Sequence, residues 1–142
     1  MYEAKRRPVE RIRIIFVRLS TRTEFGSGAF SLEDDMKIAK HYDDGKLTIY
    51  LYGELDHHAA RGTMKVISDL MLYELPKQTV LDFGGLTFMD SSGIALLLKT
   101  HRIAAANNGK VWVEHPNRQV LRVLEASGVQ RFVPIAQETG KE

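Results

Sequence analysis

Residues 79–98 read TVLDFGGLTFMDSSGIALLL, and within this stretch a strand pattern, a turn and a helix start follow one another directly. Thr79, Val80, Leu81 and Phe83 form a short apolar run with β-branched and aromatic members, broken only by Asp82, as suits a strand buried on at least one face. Gly84 and Gly85 read as the break that ends the run. Leu86, Phe88 and Met89 make a second apolar patch. Asp90-Ser91-Ser92 stands directly before Ile94, Leu97, Leu98 and His101, which recur at helical spacing. Asp90 or Ser91 is therefore the expected N-cap.

A helix start leaves backbone N–H groups without intrahelical partners and carries the positive end of the summed peptide dipoles. A serine placed there sits in a ready anion site. A phosphate on Ser91 would add roughly −1.5 to −2 charges at neutral pH, and the helix terminus would stabilise that charge. Asp and Ser before an apolar helix are also everyday capping residues, so these residues alone leave both readings open.

Outward from this centre the elements alternate. Residues 37–42 form a short strand candidate, and Asp43-Asp44-Gly45-Lys46 carries an Asp-Gly hairpin turn into a second strand over 47–52. Gly53-Glu54-Leu55-Asp56-His57-His58 reads as a strand exit and a helix entry, with Asp56 or His57 near the cap. Residues 59–75 place Ala60, Thr63, Met64, Ile67, Leu70, Met71 and Leu75 on one helical face, and Pro76 stops the helix. The central helix ends at Asn107-Asn108-Gly109, a left-handed cap signal. A strand follows over 110–113, Pro116 opens a helix that Ser127-Gly128 closes, and 132–135 form a last short strand. The expected order is β-β-α-β-α-β-α-β. Strands separated by helices call for an α/β fold, a mixed four- to five-stranded sheet covered by helices, with function at the carboxyl ends of the strands. Two such ends hold unusual polar groups: Asp56, and Asp90 with Ser91.

The chain has 142 residues, 44% of them hydrophobic and 27% charged, enough for one domain with a real core and too few for two comfortable ones. A net charge of +2 gives no case for nucleic acid or an anionic membrane as main partner. The absence of cysteine excludes disulfides, thiolate catalysis and cysteine-ligated zinc, and is compatible with a reducing cytoplasm. No apolar run approaches the roughly 18 residues that span a bilayer.

Residues 1–35 differ from the rest. Within 1–30, seven basic side chains face three acidic ones, whereas 13 basic and 12 acidic residues nearly cancel from Met36 onward. The basic opening is open to reading as a transit peptide or, through Ile12, Ile14, Phe16 and Val17, as an extra edge strand. A third account is preferred. Glu33-Asp34-Asp35 can be encoded by a purine-rich tract of the kind that precedes bacterial start codons, so Met36 is expected to be the biological start of a domain over 36–142, and 1–35 a flexible or non-native extension. Gly26-Ser27-Gly28 reads as a flexible joint.

Enzymatic readings fail on their own terms. A serine-hydrolase elbow needs glycine two positions before the serine, and Met89 stands there. Asp82-Phe83-Gly84 spells the kinase magnesium motif without a glycine-rich loop or a catalytic loop. Asp56-His57-His58 resembles the motif of the Asp-His-His phosphoesterases, but Asp69, Asp82, Asp90, His101 and His115 show no recurrent metal spacing. Adjacent helical histidines are also expected to point about 100 degrees apart. No metal or other cofactor is expected, and His101 reads as a packed side chain.

The hexapeptide at 53–58 and Phe88-Met89-Asp90-Ser91-Ser92-Gly93, with 35 positions from Asp56 to Ser91, together resemble the anti-sigma factor antagonist family, the bacterial members of the STAS domain, nearest to its sporulation-type branch. The resemblance covers about residues 36–135 and implies the STAS fold. It also implies a non-enzymatic switch, in which the first serine of Asp-Ser-Ser-Gly, here Ser91, is phosphorylated by a partner that is both anti-sigma factor and serine kinase. By the same resemblance the unmodified form binds that partner and frees the sigma factor, the phosphorylated form does not, and a PP2C-type phosphatase resets the cycle. Asp56, Asp90, Ser91, Ser92 and Gly93 become the implied partner-binding residues of a cytoplasmic protein, monomeric when free. The other reading is a STAS-like ligand-binding or scaffolding module in a stress or transporter-associated complex, with Ser91 only a cap. Family members carry a further helix after the last strand, where this sequence has only residues 136–142.

Overall fold

The computed structural model describes residues 12–17, as backbone, and 36–136. Five strands form one sheet in the order β1-β2-β3-β4-β5: β1 (Ile12–Val17), β2 (Met36–Asp43), β3 (Lys46–Leu55), β4 (Gln78–Met89) and β5 (Lys110–Glu114). β1 pairs antiparallel with β2, and β2 with β3; β3–β4 and β4–β5 are parallel. The β2–β3 hairpin closes through Asp44 and Gly45, whose φ values of 51° and 84° are the positive pair that a two-residue hairpin turn requires. Parallel neighbours need crossovers, supplied by α1 (His57–Glu74) between β3 and β4 and α2 (Ser91–Ala106) between β4 and β5. α3 (Arg118–Ser127) packs against β4, and a short 3-10 turn over Val129–Arg131 follows it.

Strand alternation decides which face each helix covers. Along β3, Leu47, Ile49 and Leu51 are buried while Lys46 and Tyr52 are exposed. These residues join Ile38, Leu81, Phe83 and Val113 in one core with Ile67 and Met71 of α1, Leu97 and Ala104 of α2, and Val120 and Leu124 of α3. Burying a Leu, Ile or Phe side chain is worth about 1.5–3 kcal/mol, so this shared core holds the helices to the sheet. β4 lies inside the sheet between β3 and β5, and Thr79, Val80 and Leu81 are all buried, as expected of a strand covered on both faces.

Two expectations are corrected. The glycine pair does not end the strand: β4 runs through Gly84 and Gly85 to Met89, and its register against β3 shifts between Tyr50 and Tyr52 and again between Gly53 and Glu54. The physical reason is the Tyr52 ring, whose Cδ2 would lie 2.2 Å from any Cβ at position 85. Glycine there marks a bulge under an aromatic side chain. The last strand shrinks to one parallel bridge, Val113 to Ile135, because the chain after Gly128 first makes the 3-10 turn. Residues 12–17 pair with β2 as an edge strand, and the Gly26-Ser27-Gly28 joint lies outside the described residues. Among the described residues no helix is long and apolar enough to cross a membrane.

Candidate docking and modification site

The carboxyl ends of β3 and β4 are built alike. Leu55 and Met89 are register partners at these two ends, and the next residue in each chain, Asp56 and Asp90, is the N-cap of the helix that follows. Asp56 has extended backbone and its Oδ1 accepts from the N–H groups of His58 and Ala59, both at 3.0 Å. The Asp90 carboxylate accepts from Ser92 N–H at 2.8 Å. Each carboxylate thereby satisfies donors that the first helical turn leaves open. The Asp90 N–H donates to the Leu55 carbonyl at 3.3 Å, which joins the two caps.

Ser91 is the first residue of α2, and it is exposed. Its neighbours are not. Ser92 is half-buried, and Gly93 is buried with the Met89 side chain so close that an added Cβ would lie 2.5 Å from Met89 Cγ. Gly93 thus serves the packing of the turn and offers no surface. The segment before Ser91 is fastened from α3: Gln119 accepts from Met89 N–H at 3.1 Å and donates to Met89 C=O at 3.0 Å. Asn117, the N-cap of α3, donates to the Leu86 carbonyl at 3.1 Å, and Thr87 donates to the Gly53 carbonyl at 3.2 Å. A hydroxyl is therefore presented from a turn that β3 and the start of α3 hold in place.

Sequence reading missed Asn117 and Gln119, since their partners lie about 30 residues away along the chain. His57 and His58 are exposed in the first turn of α1, but the expected divergence is corrected: their ring centroids lie 4.1 Å apart with planes tilted by 36°. His101 packs near the Phe132 ring at 5.9 Å between centroids. Linear spacing also hid one cluster: Asp82, Glu114 and His115 bring one donor atom each within 4.8 Å of one another. Within it His115 Nδ1 lies 3.1 Å from Asp82 Oδ2, Gly84 N–H donates to Asp82 Oδ1, and Trp112 Nε1–H donates to Glu114. It stands at the end of β5, apart from Ser91.

Comparisons with known proteins agree with this geometry. The family model of the STAS domain matches residues 36–141. The anti-sigma F factor antagonist of Paenibacillus polymyxa is 30% identical over 101 residues, covering 71% of this chain and 86% of that protein. The structure of the anti-sigma factor antagonist SpoIIAA in its unphosphorylated form superposes with a TM-score of 0.61 at 30% identity, over 71% of this chain and 89% of that one. The structure of the Bacillus cell fate determinant SpoIIAA in the phosphorylated form superposes with a TM-score of 0.55 at 29% identity, over 71% of this chain and 92% of that one. With the strand order, the twin aspartate caps and these likenesses in agreement, the chain belongs to the STAS domain family, on its anti-sigma factor antagonist branch.

Proposed function

We propose that this chain is a phosphorylation-controlled binding switch. In its unmodified form it binds an anti-sigma factor that is also a serine kinase, and so releases a sigma factor; phosphate on Ser91 ends that binding, and a PP2C-type phosphatase restores it. The observation that carries the reading is the placement of Ser91, an exposed hydroxyl at the first position of α2 beside the Asp90 cap. That a relative of 29–30% identity is known as both an unphosphorylated and a phosphorylated protein supports it.

The chemistry is consistent throughout. The helix start tolerates a dianion, so modification leaves the fold intact. The same dianion, beside the carboxylates of Asp56 and Asp90, opposes any partner acid that a hydroxyl had tolerated, and burying it unpaired in an interface is costly. A hundredfold switch needs a difference of only about 2.7 kcal/mol. Ser91→Ala is expected to bind the anti-sigma kinase constitutively and to take up no phosphate from ATP, whereas Ser91→Asp binds roughly a hundredfold more weakly. Phosphopeptide mapping after incubation with kinase and ATP locates the modified residue. Equal binding by the two variants, or phosphate on another residue, would overturn the assignment.

A further inference from the structure

Between α1 and α2 runs an open groove of about 630 Å³, and among the described residues every charged side chain that lines it is cationic or can become so. Arg61 and Lys65 stand on the α1 side, Lys99 and Arg102 on the α2 side, all four exposed. Among the described residues the lining holds no Asp or Glu, and α2 carries no acidic residue over its sixteen positions. Lys65 lies 3.3 Å from Asp69, in a pair so exposed that it is weak. Since basic and acidic residues nearly balance from Met36 onward, this charge is local to the groove. Its floor is aliphatic: Met64, Leu96 and Ile103.

We propose that this groove receives an acidic amphipathic helix of the protein partner. The proposal rests on the switch reading above and extends it by naming the surface and its complement. Lining residues run from His57 to Ser68 on α1 and from Ser92 to Ile103 on α2, about three turns of each helix. An aliphatic strip of that length with cations on both rims matches a helix bearing aliphatic side chains at three- and four-residue intervals, flanked by Asp and Glu. Among the described residues the lining has no Phe, Tyr or Trp on which a nucleotide base would stack. His57 and Ser92, at the starts of the two helices, form the mouth, so the groove opens beside Ser91. The direction of the switch then has a cause. A dianion at the mouth of a cationic trough lowers its positive potential and repels an occupant of its own sign.

The test measures affinity of the full chain for the anti-sigma kinase at low and high salt, using wild type, Ser91→Asp and the double variant Lys99→Glu with Arg102→Glu. The groove predicts that the double reversal weakens binding at least roughly tenfold at low salt and flattens the salt dependence. It also predicts that Lys99→Ala with Arg102→Ala, which adds no repulsion, gives a smaller loss in the same direction. Double variants that bind like wild type while Ser91→Asp does not would overturn the groove and leave the switch standing. Wild type and Ser91→Asp binding equally would overturn the switch, and the groove with it. If the reversal abolishes binding to phosphatidylglycerol vesicles or to ATP but leaves kinase binding unchanged, the occupant is a lipid or a nucleotide and the proposal is wrong. Both charge positions are exposed, and unchanged thermal unfolding of the variants separates lost binding from lost structure.

Discussion

A methyl group at position 93 has nowhere to go. Met89, which would meet it at 2.5 Å, is fully buried, and Gln119 holds the Met89 backbone on both sides. Relief requires Met89 to change rotamer inside the core or α2 to lift from β4, and overpacking of this kind costs about 1–3 kcal/mol. Gly93→Ala is therefore expected to lower the unfolding free energy by that amount, read as a lower urea midpoint at an unchanged slope, and to disturb partner binding only through the turn. A variant as stable as wild type would show that the turn has slack. The residues at this site divide by how local their reasons are. Asp56 and Asp90 were legible because a cap is a matter of a few adjacent residues, and Ser91 because it follows one. Gly93 was legible as part of a motif but not in its role, since nothing in the linear order says that Met89 folds back against it.

At the scale of elements, alternating strands and helices set the layers in advance, and the parallel pairs follow from the length of the crossovers. What escaped was where elements meet sideways. The bulge at Gly84 and Gly85 depends on the Tyr52 ring of the neighbouring strand, and the Asp82, Glu114 and His115 cluster on two strands arriving side by side. The same meeting has a measurable effect on Tyr50, the register partner of Asp82. Partial burial raises its phenol above the usual value, with the charge of Asp82, then Tyr52 and Glu114, acting the same way. The folded chain thus holds this proton where the unfolded chain, titrating near pH 10, has released it. Stability is unaffected below that value and falls as pH rises through it. Tyr50→Phe is expected to flatten this alkaline decline in urea midpoints taken at stepwise pH, and an unaltered decline would count against the strand-level electrostatics.

For the molecule as a whole, the question is whether a charge at Ser91 acts through the surface or through the fold. The α2 start faces bulk solvent at Ser91, whereas everything behind it is fixed: Asp90 to Leu55, Asp90 to Ser92, Met89 to Gln119, Leu86 to Asn117. A negative group at the first turn of a helix is stabilising by about 0.3–1 kcal/mol, and the adjacent Asp90 carboxylate opposes part of that. Ser91→Asp is accordingly expected to match or slightly exceed wild-type stability, within about 1 kcal/mol, in the same preparation that shows its binding to the anti-sigma kinase lost. The small gain should shrink as salt is raised, since both the helix terminus and Asp90 act on an exposed charge. A destabilisation beyond about 2 kcal/mol, or amide exchange opening across α2 and the end of β4, would mean that the charge works by loosening the turn. Loss of affinity in an otherwise unaltered molecule would place the whole effect at the surface that α1 and α2 offer together.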